Sequence, residues 1–88
     1  MKTNIEMCVI GRKSKQFEEQ LIAIKKIQGV KVLKRRNKPF YDIKGCVDDN
    51  SLNAMAEPLS TLISDCGAVL EIGNSDLRQE IFRLIERG

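Results

Sequence analysis

Apolar residues in this chain switch repeatedly between a two-residue and a three-to-four-residue spacing, and few architectures accommodate that alternation. Ile5, Met7 and Val9 alternate along Asn4–Ile10, the pattern of a strand, and Gly11 ends it. Phe17, Leu21, Ile24 and Ile27, with Ala23 beside them, then recur at helical spacing, predicting a helix from an N-capping Ser14 to about Gln28. Glu18 and Glu19 near its start and Lys25 and Lys26 near its end suit the helix dipole, and Gly29 is a stop. Val30–Arg35 and Phe40–Val47 read as a hairpin around Asn37-Lys38-Pro39, with Gly45 weakening the second strand or marking a bulge. Asp48, Asp49 and Asn50 form a capping cluster for a helix that buries Leu52, Met55, Ala56, Leu59, Leu62 and Ile63. Pro58 interrupts that helix and predicts a split into two pieces at an angle. Ala68–Ile72 is a short strand, Gly73-Asn74 a turn, and Asn74 or Ser75 caps a last helix striped by Leu77, Ile81, Leu84 and Ile85.

Strand, helix, strand, strand, helix, strand, helix, each with one apolar face, implies an α+β open-faced sandwich. Its four-stranded antiparallel sheet is covered on one face by three helices, and the other face looks to solvent. Two sheet orders satisfy this element sequence, the ferredoxin-like and the phosphocarrier one, and periodicity does not choose between them. With 88 residues the chain is one domain, residues 1–88, burying roughly two-thirds of the surface its unfolded form exposes. Little apolar area is then left for a deep, closed substrate pocket.

The chain has no histidine, the side chain most used for proton transfer near neutral pH. Cys8, Cys46 and Cys66 are odd in number and widely spaced, which argues against a disulfide framework and against zinc. Asp42, Asp48 and Asp49 lack the alternate oxygen ligands and distal glutamate of a calcium loop, so no metal and no cofactor is expected. No phosphate loop, Ser-x-x-Lys pattern or cysteine–histidine pair is present, so the chain is not expected to be an enzyme. No apolar stretch approaches a membrane span, and the N-terminal residues lack a leader pattern, which predicts a cytoplasmic protein with reduced thiols.

Charge is divided unevenly. Residues 1–44 carry a net +8 and residues 45–88 a net −5, although elements from the two halves interleave in the expected fold. Two basic groups stand out as candidate sites. Arg12, Lys13, Ser14 and Lys15 surround the start of the first helix, where unpaired N–H groups favour an anion or an anionic protein partner. Lys34, Arg35, Arg36 and Lys38 crowd the hairpin tip, where they could track nucleic-acid phosphates or simply protect a sheet edge. Only Phe17, Phe40, Tyr41 and Phe82 are aromatic, so no platform of rings for stacking bases is expected.

The segment Gly67-Ala68-Val69-Leu70-Glu71-Ile72-Gly73 followed by Ser75-Asp76-Leu77, with Gly11 before the first helix, resembles the HPr phosphocarrier family of the bacterial sugar phosphotransferase system. The resemblance covers most of the length through element order and short matches. In that family a histidine at the N-terminus of the first helix takes a phosphoryl group. Here Lys13 stands at the histidine position, Lys15 at the arginine position and Gln16 at the proline position, so the nucleophile is missing. The resemblance therefore implies a regulatory or accessory binding protein that has lost histidine phosphorylation. Ser51 is the nearest match to the family's regulatory phosphorylation site, with Asn50 in place of the preceding lysine; as a plain residue it reads as a helix-start position. A small nucleic-acid-binding module and a self-associating subunit, for instance a homodimer, are the alternatives.

Overall fold

A computed structural model describes residues 1–87. Its elements are β1 (Thr3–Ile10), α1 (Lys15–Lys25), β2 (Val30–Lys34), β3 (Phe40–Val47), α2 (Asp49–Ala54), α3 (Ala56–Ser64), β4 (Val69–Glu71) and α4 (Ser75–Arg87). The four strands form one antiparallel sheet in the order β2-β3-β1-β4. The open-faced α+β architecture and the element sequence are those expected.

Of the two sheet orders left open, this is the ferredoxin-like one. β3 inserts between β1 and β2, which run parallel to each other and are joined through α1, a split βαβ unit. Sheet order thus lends nothing to the phosphocarrier resemblance, which keeps only its short sequence matches.

Alternation along the strands separates the two sheet faces. Ile5, Met7, Val9, Tyr41, Ile43 and Val47 are buried beneath the helices, where they meet Phe17 and Ile24 of α1, Leu52 of α2, Leu59 and Leu62 of α3, and Leu77 and Ile81 of α4. Their neighbours Asn4, Glu6, Lys31 and Lys44 are exposed on the open face. β4 is only three residues long and pairs with Cys8, Val9 and Ile10, whereas β3 pairs with all of β1.

α1 begins as predicted: Ser14 is extended, and its hydroxyl accepts the N–H of Phe17 at 3.1 Å. The helix stops three residues before Gln28. The N–H of Ile27 donates to Ile24 at 3.0 Å, tightening the last turn, and Gly29 then takes φ +88°. Ala23, read as flanking the apolar stripe, faces solvent.

The second helical run is broken at Met55, three residues before Pro58. A proline at 58 cannot donate to the carbonyl of Ala54, and its ring crowds that carbonyl, so α2 ends there. Pro58 itself occupies the first turn of α3, where its missing N–H costs nothing, and it is buried.

Gly45 marks no bulge, since its pairings with Ile5 and Val30 continue in register. It is instead a close approach. A Cβ on Gly45 would lie 1.9 Å from the Gly29 carbonyl oxygen, and one on Gly29 would lie 2.3 Å from the Cys46 carbonyl oxygen. The N–H of Cys46 donates to the Gly29 carbonyl at 3.2 Å, so the hairpin and the end of α1 are locked backbone to backbone.

Asp48 caps α2, accepting the N–H of Ser51 at 2.8 Å, and this hydrogen bond holds its carboxyl below the usual aspartate range. A carboxyl depressed on folding adds stability above its unfolded pKa, and that stability is lost as pH falls through the folded value. Asp48→Asn keeps the cap but cannot titrate. Acid unfolding followed by circular dichroism should therefore be shallower below about pH 4 in this variant than in the parent. Superimposable acid curves would refute that role for Asp48.

Candidate anion-binding end

The C-terminal end of β1, the N-terminal ends of β3 and α1, and the β2–β3 turn all meet at one end of the molecule. This topology brings the two basic groups together. The N–H of Gly11 donates to the Pro39 carbonyl at 3.1 Å, stitching the loop before α1 to the hairpin tip. Between them lies an open recess of about 380 Å³, with Arg12 and Lys13 on one wall, Lys34, Asn37 and Lys38 on the other, and Pro39 and Tyr41 beneath. Asn37 takes a left-handed φ of 59°, which turns the hairpin, a conformation asparagine tolerates better than most residues.

Seven of the 15 lysines and arginines gather at this end: Arg12, Lys13, Lys15, Lys34, Arg35, Arg36 and Lys38. Much of the first half's positive charge is therefore concentrated at one end. Two carboxylates engage the group. Lys13 pairs with Glu18 at 3.2 Å, and Arg35 grips Asp42 with two hydrogen bonds of 2.9 Å each. The fork on Asp42 lowers its carboxyl pKa and raises that of Arg35, the paired charges stabilising each other. Among the described residues, Arg12, Lys15, Lys34, Arg36 and Lys38 have no carboxylate within ion-pair distance. Lys34 instead reaches the Lys38 carbonyl at 3.4 Å.

The predicted residues are not all equally placed. Arg12, Lys13, Lys34 and Lys38 line the recess, whereas Lys15, Arg35 and Arg36 do not. Ser14 spends its hydroxyl on the helix cap, so it acts as a structural residue at the rim. Ser51 sits on α2, capped by Asp48 and half-buried, on an element separate from the basic end. Asn37, read only as part of the hairpin turn, and Tyr41 were not singled out as site residues; their contribution depends on the hairpin tip docking against the loop before α1, which no local pattern signals.

A larger recess, about 440 Å³, opens where β4 ends, and among its lining residues are Glu6, Glu71, Asn4 and the Arg35–Asp42 pair. Its unpaired carboxylates disfavour anions. Cys8 also faces it, but burial pushes this thiol up, keeping it protonated and a weak nucleophile. Cys8, Cys46 and Cys66 are all free thiols. Among the described residues no group of three potential ligands could hold a metal ion, and no helix is long and apolar enough to cross a membrane.

Compared with protein-family models, curated proteins and solved structures, the chain matches none of them.

Proposed function

We propose that this protein is a non-catalytic binding domain whose basic end takes up a phosphate-bearing polyanion in a regulatory or accessory role. The observation that carries this reading is the convergence of Arg12 and Lys13 with Lys34 and Lys38 around one recess. The two chain segments are tied by the backbone hydrogen bond between Gly11 and Pro39, so Arg12, Lys34 and Lys38, with Lys13 shared with Glu18, present one positive surface. Without histidine, and with Ser14 committed to its cap, the recess offers cations but no activated nucleophile, so its chemistry is recognition. Reduced thiols at Cys8, Cys46 and Cys66 suit a cytoplasmic setting.

Binding of this kind releases counterions and must weaken steeply with salt. Fluorescence anisotropy with labelled oligonucleotides at rising salt should give a log–log slope that flattens in Arg12→Ala and in Lys38→Ala. Each lost phosphate contact should reduce the magnitude of the slope by about 0.7 to 0.9. Arg78→Ala, on α4, should leave it unchanged. No association, or association indifferent to salt, would remove the proposal.

A further inference from the structure

We infer that the polyanion is single-stranded nucleic acid, and that the open sheet face beside the recess seats its bases, with Phe40 as the stacking ring. This rests on the polyanion reading and names the ligand of that same end.

One row of residues crosses the sheet at the basic end, beginning just past the end of β2. Arg35 donates its N–H to the Phe40 carbonyl at 2.9 Å, Phe40 is paired with Ile10, and Ile10 with Val69. Paired residues share a face, and for this row it is the face that carries no helix. Val69 is 56% exposed, and so is Leu33, which lies two residues before Arg35 on the same face. Of the four large apolar residues that stand exposed among the described residues, these two lie on this face near the densest positive charge, while Ile22 lies on α1 and Met1 precedes β1.

Phe40 is the one aromatic residue of this face. Phe17 and Tyr41 lie on the helix side and are buried, and Phe82 belongs to α4. The Arg35 guanidinium stands 5.4 Å from the Phe40 ring centroid and the Lys38 ammonium 5.9 Å. Lys38 also lines the recess, so it joins the phosphate-attracting wall to the ring.

A ligand that satisfies both halves must be flat and apolar on one side and anionic on the other, within the span of a few strands. An unstacked nucleotide has that chemistry: its base covers a ring while its phosphate meets lysine or arginine. Duplex nucleic acid offers the phosphates but keeps its bases stacked inside. With a single ring the surface seats one base on Phe40 and a neighbour over Ile10 and Val69. Glu6 and Glu71, further along the open face, confine the strand to this end.

The test compares a short labelled oligouridylate with a blunt duplex carrying as many phosphates. Phe40→Ala should weaken the single strand by roughly 5- to 150-fold while leaving its salt slope and the duplex affinity unchanged. Phe40→Leu keeps an apolar cover without the π face and should lose most of the same affinity. The chain has no tryptophan, so Phe40→Trp supplies a lone reporter whose fluorescence the single strand should quench. Equal losses on both probes, or an unquenched tryptophan in a complex that still forms, would overturn the stacking site alone. Failure of both probes to bind would remove the polyanion reading with it.

Discussion

Replacing Gly45 with alanine should leave the chain largely unfolded or shift its thermal midpoint down sharply. The backbone there has φ +155°, a conformation that costs an L-residue roughly 1–3 kcal/mol by itself. The added methyl would also fall 1.9 Å from the Gly29 carbonyl oxygen and 3.2 Å from the Val30 Cα. Neither neighbour is a side chain that can swing away; both are main chain at the junction of α1 and β2. Relief requires β2 to move off β3, which breaks the Cys46–Gly29 hydrogen bond and the Val30–Gly45 pairing together. A domain of this size has a net stability toward the lower part of the usual range of about 5–15 kcal/mol, so the loss is a large share of the whole. Thermal and urea unfolding followed by circular dichroism measures it. A Gly45→Ala protein with an unchanged midpoint would show that the close approach is not real.

Phe17→Ala is expected to be the next most damaging change, at about 3–5 kcal/mol. Its ring is fully buried, 5.3 Å from the Tyr41 ring in a tilted arrangement, and it fills the space against Gly11 and Ala68. The same residue gives its N–H to the Ser14 cap, so the ring anchors the turn of helix that carries the basic loop. Emptying that space should therefore loosen Arg12 and Lys13 as well as destabilise the core. Two readouts follow: a lower urea midpoint, and weaker oligonucleotide binding at temperatures where the variant is still folded. Phe17→Leu, which fills more of the space, should recover a good part of both. A Phe17→Ala protein as stable as the parent would mean that α1 is not packed as described.

These residues also show what could be read from the chain. Ser14 with the Phe17, Leu21 and Ile24 stripe announced α1, because cap and periodicity are both local. The break in the second helical run was visible in Pro58, although it falls at Met55, three residues earlier, because proline acts on the carbonyl behind it. Sheet order was not visible: alternation says which face a residue takes and is silent on which strand lies alongside. The role of Gly45 was hidden for the same reason, since Gly29 is distant in sequence and only the fold sets the two backbones against each other. The basic groups could each be seen in the sequence. Their union could not, because it depends on the Gly11–Pro39 hydrogen bond across two strands.

The short fourth strand has a bearing on how firmly the ligand end is held. Cys8, Val9 and Ile10 are flanked on both sides, by β3 and by β4, while Thr3 to Met7 have β3 alone. Fraying of the sheet should then begin at the pole away from the cations, and the ground beneath Phe40 and Ile10 should be the last to soften. A docking surface built where β1 is held from both sides gives up little freedom when it is occupied.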